Sequence, residues 1–145
     1  MSRKDQIAGE LSQILPILIR HMYPHVFGSM DVPPSQILAL VTIENEGECT
    51  LTQLKKLMHV SAPTISGIVT RLERAGYISR FIEPADRRVT KVRLKNKGEK
   101  VVATFRGLIK KRWSYILSKV PESVGETVVA TISQITRGFI DGTLD

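Results

Sequence analysis

Along most of this chain apolar residues recur at the three-to-four-residue spacing of amphipathic helices, and only between 77 and 94 does the period change. Residues 5–27 bring Ile7, Leu11, Ile14, Leu15, Leu18 and Met22 onto one face, and Ile17 and Ile19 widen the stripe until the helix is apolar almost all round. Such a helix must be covered on several sides, and a partner chain is one way to cover it. Pro16 and Pro24 predict kinks or a break within it. The run "DVPPSQILALVTIENEG" then supplies a helix start at Ser35, a core face of Ile37, Leu38, Leu40 and Val41, and a stop at Gly47.

The next two helices are short and close together. In "TLTQLKKLM", Thr50 and Gln53 have capping-box spacing, and Leu51, Leu54, Leu57 and Met58 form the apolar face. This helix stops at His59-Val60, and Ser61 is placed to cap the one that follows. A tight turn between two such helices predicts a helix-turn-helix, with Ala62, Ile65, Ile68, Val69, Leu72 and Ala75 as the buried stripe of the second and Gly76 as its stop. "YISRFI" and "VTKVRL" are then rich in β-branched and aromatic residues, with "EPADRR" between them as a turn, so this region predicts a hairpin with a basic tip. A long helix is expected from Asn96 to about Lys119, with Val102, Phe105, Leu108, Ile109, Ile116 and Leu117 at helical spacing. Pro121 separates it from a last helix carrying Val124, Val128, Ile132, Ile135 and Phe139. There is no repeat, linker or low-complexity tract.

Composition narrows the class. At 145 residues, 42% hydrophobic and 24% charged, the chain fits one globular domain with a real core. The densest apolar run, "ILPILI", falls well short of the ~18 residues of a membrane span and lacks the flanks of a signal peptide. The lone Cys49 excludes an internal disulfide and suits a reducing cytoplasm, so the expected location is cytoplasmic. Charge changes the picture more. Residues 50–112 hold 16 Lys and Arg against 4 Asp and Glu, so this stretch exceeds the whole chain's net +7 and the ends are acidic. A basic middle is the footprint of a module that binds a polyanion.

The helix "SAPTISGIVTRLERAG" carries the sharpest chemistry. Its N-terminal half is small and hydroxyl-rich, with Ser61, Pro63, Thr64, Ser66, Gly67 and Thr70 ahead of Arg71 and Arg74. In a helix-turn-helix the N-terminal end of the second helix enters the major groove. There the helix dipole and free N–H groups suit phosphates, and small hydroxyl side chains bond bases or phosphates without holding the backbone away. Gly67 costs ~1 kcal/mol against Ala inside a helix, a cost that close approach to DNA or to another helix would explain. Arg71 and Arg74 can reach phosphates or a guanine edge. On the hairpin, Arg87 and Arg88 occupy a projecting tip from which an Arg can enter the narrow minor groove. Asp86 is placed to orient one of them by a bidentate pair, and Lys91 and Arg93 extend the positive edge, Lys91 as a phosphate contact. The bland alternatives are a Ser/Thr-rich surface helix and a solvated charged turn.

Residues 60–98, "VSAPTISGIVTRLERAGYISRFIEPADRRVTKVRLKNKG", resemble the MarR (multiple antibiotic resistance regulator) family of winged helix-turn-helix transcription factors. The shared pattern is Val-Ser, a Thr-rich recognition helix, Leu-Glu-x-x-Gly, and Asp-x-Arg in the wing. "LKNKG" departs mildly from the family's Leu-Thr-x-x-Gly. The flanking helices match the family layout, so the resemblance covers essentially the whole chain. It implies an α+β, mainly α, fold: a single domain, 1–145, with a winged-helix lobe at about 35–95 and dimerisation helices at about 1–30 and 96–145. It further implies a homodimer that binds a palindromic operator in double-stranded DNA and usually represses. The carry-over gives Ser61, Pro63, Thr64, Ser66, Thr70 and Arg71 to the recognition helix and Asp86, Arg87 and Arg88 to the wing, with Arg88 favoured for insertion.

The resemblance also implies a small aromatic or anionic effector held between the dimer helices and the lobe. His21, Tyr23, His25 and Trp113 are the candidates to line such a place, with core or interface duty as the alternative. His21, His25, His59 and Cys49 make a poor metal constellation, so no metal and no cofactor is expected. Cys49 lies just before the Thr50 helix and is expected to be buried and inert. No phosphate-binding loop and no Ser/His/Asp arrangement suggests an enzyme. The rival of another class is a winged-helix module that binds protein instead of DNA.

Overall fold

Six helices and three short strands form along the chain in a computed structural model that describes residues 1–145. They are α1 (Arg3–Phe27), α2 (Pro34–Glu46), β1 (Glu48–Thr50), α3 (Leu51–Met58), α4 (Ala62–Arg74), β2 (Ile78–Ile82), β3 (Thr90–Leu94), α5 (Asn96–Leu117) and α6 (Glu122–Ile140). The residues group into two units, Met1–Leu108 and Ile109–Asp145. The mainly helical, winged-helix class expected from the sequence is the observed one.

In the first unit, α1 is started by a capping box in which the Asp5 N–H donates to Ser2 Oγ at 3.1 Å and the Ser2 N–H donates to Asp5 Oδ2 at 2.9 Å. It runs unbroken through Pro16 and Pro24, so the expected break does not occur. Each proline withholds one N–H, and the intact turns on either side carry the helix past it. None of its 25 residues is buried within the single chain.

The core of this unit lies under the short helices and the sheet. Ala39, Leu40 and Ile43 of α2 meet Leu54 of α3, Ile65, Ile68, Val69 and Leu72 of α4, Ile78 of β2, Val92 of β3 and Val102 of α5, all essentially inaccessible. Each such leucine, isoleucine or valine side chain contributes roughly 1.5–3 kcal/mol of apolar burial before entropy is charged. The phase of α2 differs from expectation: Ala39 and Ile43 face inward, while Leu38 is 47% exposed. In α4, Ala62 is exposed and Ala75 only partly covered, so the buried stripe is narrower than the spacing suggested.

The sheet is antiparallel in the order β1-β3-β2. Its edge strand β1 was not expected. A three-residue strand is too short to show a period, and Glu48–Thr50 becomes one by pairing with Lys91–Arg93. Cys49 sits opposite Val92 at 1% exposure, and burial, with a smaller push from Glu46, raises its thiol to about 11. At neutral pH it is a buried thiol, as expected.

The second unit holds the end of α5 and all of α6. Val124, Val129, Ile132, Ile135 and Phe139 of α6 are 43–61% exposed within the single chain. No helix is long and apolar enough to cross a membrane.

Candidate nucleic-acid interface

The turn between α3 and α4 is built by local capping. The Thr50 hydroxyl accepts the Gln53 N–H at 3.0 Å and Gln53 Oε1 accepts the Thr50 N–H at 2.9 Å, which completes the expected capping box and starts α3. The helix ends on His59, whose φ of 54° is left-handed, and Val60 N–H returns to the Lys55 carbonyl at 3.2 Å. A left-handed residue at this point reverses the chain in two residues and sends it into α4. Ser61 then caps α4 by accepting the Thr64 N–H at 3.3 Å, and the two hydroxyls lie 2.8 Å apart.

With Ile65, Ile68, Val69 and Leu72 turned inward, the helical period puts Pro63, Gly67, Thr70 and Arg74 along the opposite side of α4, flanked by Ser66 on one edge and Thr64 and Arg71 on the other. Ser61, Pro63, Thr64, Ser66, Arg71 and Arg74 are exposed, and Gly67 and Thr70 are half-buried. The C-terminal end of α4 is held from outside the helix: Lys97 Nζ donates to the Ala75 carbonyl at 2.7 Å and lies 4.7 Å from the centre of the Tyr77 ring. Gly76 follows with φ +79°, the conformation the stop requires.

The wing tip is a tight, self-bonded turn. Glu83 N–H donates to the Val89 carbonyl at 2.9 Å, Asp86 N–H to Glu83 at 3.2 Å, and Val89 N–H to Asp86 at 3.0 Å. Asp86 Oδ1 accepts both the Arg88 N–H at 3.1 Å and Arg88 Nε at 3.2 Å. The carboxylate therefore orients Arg88 and not Arg87, through Nε alone instead of a bidentate fork. The Arg88 side chain is nevertheless 91% exposed, so its guanidinium is aimed without being hidden.

A small loop, two capped helices and a basic hairpin beside them make up a winged helix-turn-helix lobe, and residues 32–90 match the model of the MarR family. Among curated proteins, the chain is similar to the helix-turn-helix transcriptional repressor MdtR of Bacillus subtilis, at 24% identity over 80% of this chain and 79% of that one. Among solved structures it is similar to RV1404 from Mycobacterium tuberculosis, with a TM-score of 0.78 at 21% identity, covering 95% of each chain. It also matches Streptococcus pneumoniae FabT in complex with DNA, with a TM-score of 0.74 at 21% identity, covering 95% of this chain and 98% of that one. At such identities the two structures share the fold.

Within the lobe, Lys91 is placed differently from the expectation of a phosphate contact. Its Nζ lies 2.6 Å from Glu83 Oε2 and 3.4 Å from Glu48 Oε1, with the side chain three-quarters covered. The hydrogen bond from Lys91 holds the Glu83 carboxyl below its ordinary value, helped by the Ala85 N–H, and the same bond raises the Lys91 ammonium. A cation already matched by two carboxylates has little left to offer a phosphate. Arg93, the other expected part of the edge, lies over the Phe81 ring at 4.9 Å.

His21, Tyr23 and His25 are exposed on α1, and Trp113 falls in the second unit. Tyr23 stacks toward Phe27 at 5.0 Å, and Phe27 toward Phe105 at 5.4 Å, which is packing between α1 and α5. An open cavity of about 320 Å³ in the first unit has a different lining: Ser29, Met30, Asp31, Val32, Tyr77, Lys97, Lys100, Val101 and Thr104. Sequence reasoning missed it because its two lysines and its tyrosine come from segments on either side of the wing. No group of three or more His, Cys, Asp or Glu is arranged to hold a metal.

Proposed function

We propose that this protein is a transcriptional regulator that binds a palindromic operator in double-stranded DNA as a homodimer, and that it represses. The observation that carries this reading is the outward side of α4. It is capped at Ser61, small through Gly67 and Thr70, basic at Arg71 and Arg74, and accompanied by a wing tip on which Asp86 presents Arg88. Major-groove entry by the first turns of α4 and minor-groove entry by Arg88 follow from that arrangement. Ser61, Pro63, Thr64, Ser66, Thr70, Arg71, Arg74, Asp86, Arg87 and Arg88 are the contacts; Lys91 is withdrawn from the set.

The dimer is supported by α1 and α6, whose apolar faces are left in water by a single chain. Two copies joined there would present their recognition helices about one DNA turn apart, ~34 Å, which calls for an inverted repeat. Repression is the activity named for the similar MdtR protein. A small aromatic or anionic effector would release the DNA. The Tyr77, Lys97 and Lys100 cavity suits such a molecule better than the His21, Tyr23, His25 and Trp113 set, since it offers a ring and two cations together.

Selection from a random pool of DNA duplexes tests the reading. Enrichment of an inverted repeat supports it. An absence of any enrichment would favour a winged-helix module that docks on protein.

A further inference from the structure

Three glycines in the lobe answer to different needs. Gly76 adopts φ +79°, which side chains avoid. Gly98, in the first turn of α5, lies so close to the Tyr77 carbonyl that a Cβ would overlap it. Gly67 answers to neither. Its backbone is ordinary α-helix, and the nearest atoms a Cβ built on it would meet belong to the Arg71 guanidinium, at 3.6–3.8 Å, which is normal contact with the end of a flexible side chain. No atom outside the helix's own backbone comes closer to that Cβ than this guanidinium. The chain itself gives no reason for the weakest ordinary helix former to sit mid-helix.

Its position supplies one. Gly67 stands on the outward side of α4, between Pro63 one turn before and Thr70 and Arg74 one and two turns after, and away from the inward Ile65 and Leu72. We infer that Gly67 sets the depth of the recognition helix in the major groove: its bare Cα lets the helix backbone come into van der Waals contact with a base edge, where a methyl group would hold it off. This rests on the DNA-binding reading above and adds a specificity-determining residue to it. The consequence reaches the neighbours. Thr64, Ser66 and Thr70 carry short side chains, which reach base edges only if the backbone lies close to the groove floor. A helix held out by one methyl group would leave those hydroxyls short of hydrogen-bond distance, while long Arg71 and Arg74 would still reach phosphates.

The test uses the duplex enriched from the random pool and four proteins: wild type, Gly67→Ala, Arg71→Lys, and both changes together. Titrations at fixed salt and at a series of salt concentrations are run beside melting curves. The melting temperature of Gly67→Ala is expected to rise by about 2–5 °C, because alanine favours the helix and nothing in the chain opposes its methyl group. Affinity for the enriched duplex is expected to fall at least tenfold, with the slope of affinity against salt unchanged, because no phosphate contact is removed. The same tenfold loss should appear when Gly67→Ala is added to Arg71→Lys. Unchanged affinity in Gly67→Ala would overturn the inference and leave the DNA-binding reading standing. A lowered melting temperature would return Gly67 to the fold, and a loss that vanishes in the Arg71→Lys background would make it only a seat for Arg71; either overturns the inference. If wild type enriches no duplex at all, the DNA-binding reading itself fails, an outcome distinct from the other three.

Discussion

Replacing Arg88 with alanine separates what the wing does for folding from what it does for DNA. On the folding side the loss is small. The Arg88–Asp86 pair spans 3.2 Å, but the arginine is 91% exposed, and exposed pairs of this kind contribute roughly 0.2–1 kcal/mol before salt screens them. The melting temperature should therefore move by no more than about 3 °C. On the DNA side, an arginine oriented toward a groove is worth roughly 1–3 kcal/mol, or about 5- to 150-fold in affinity. Arg87→Ala should cost less, because no carboxylate orients that side chain. Asp86→Asn is the informative companion: an amide oxygen can still accept the Arg88 N–H and keep the turn, while the charge that directs the guanidinium is gone. It should weaken binding by about 0.5–1 kcal/mol in the wild type, the scale of one side chain's lost order, and by nothing in the Arg88→Ala background. The assay is a fluorescence titration of the selected duplex at fixed salt, with a melting curve for each variant. A larger loss from Arg87→Ala than from Arg88→Ala, or an Asp86→Asn effect that persists without Arg88, would refute the assignment.

Three further outcomes follow from other parts of the chain. Gly98→Ala should lower stability by about 1–3 kcal/mol, since overlap with the Tyr77 carbonyl outweighs the ~1 kcal/mol gained in helix propensity; a melting curve unchanged or raised would mean α5 can shift away from that carbonyl. Sedimentation at micromolar concentration should show a dimer, because α1 and α6 leave so much apolar side chain in water, and a well-folded monomer would count against the dimeric reading. The Lys91 cluster should stabilise the wing across a wide pH window. Glu83 is depressed in the fold, so its contribution is present above its ordinary 4.5 and fades as pH falls through the depressed value; Lys91 is raised, so its contribution is complete below 10.5 and fades as pH rises beyond. Lys91→Met should flatten the acid limb of a stability–pH profile and leave base preference unchanged, and an altered base preference would restore Lys91 to the DNA surface.

Much of the lobe was legible because its punctuation is local. Thr50 with Gln53, Ser61 with Thr64 and the Gly76 stop each act within a few residues of themselves, so a reader of the sequence meets cause and effect together. Asp86 and Arg88 belong to the same class, two residues apart. What escaped depends on distant partners. Lys91 reads as a free cation until the sheet brings Glu48, 43 residues earlier, beside it. β1 exists only because β3 pairs with it, and the exposure of Leu38 follows from which side of α2 meets α4 and the sheet. The cavity at Tyr77 and Lys97 is assembled across the wing and has no linear motif. The unbroken α1 shows the converse: of the kink or break that Pro16 and Pro24 predict, the break does not form.

The distribution of charge within the lobe sharpens the case for α4 and the wing tip over the rest of the basic stretch. Counted along the sequence, residues 50–112 look uniformly positive. In the fold, four of those sixteen cations enter ion pairs: Arg80, Arg88, Lys91 and Arg106. Arg80 pairs with Glu73 at 3.4 Å, Arg106 binds Glu44 and reaches Asn45 at 3.1 Å, Lys91 is shared by Glu83 and Glu48, and Lys97 closes the end of α4. Arg71, Arg74 and Arg87 enter no ion pair, and Arg88 is held by Asp86 with its far end in solvent. An extended polyanion lying against α4 and the wing tip would meet Arg71, Arg74, Arg87 and the solvent-facing end of Arg88 together. Placement is a stronger guide than total charge: Arg71 and Arg74 lie on the same helix as the small residues Gly67 and Thr70, and Arg87 and Arg88 stand at the hairpin tip.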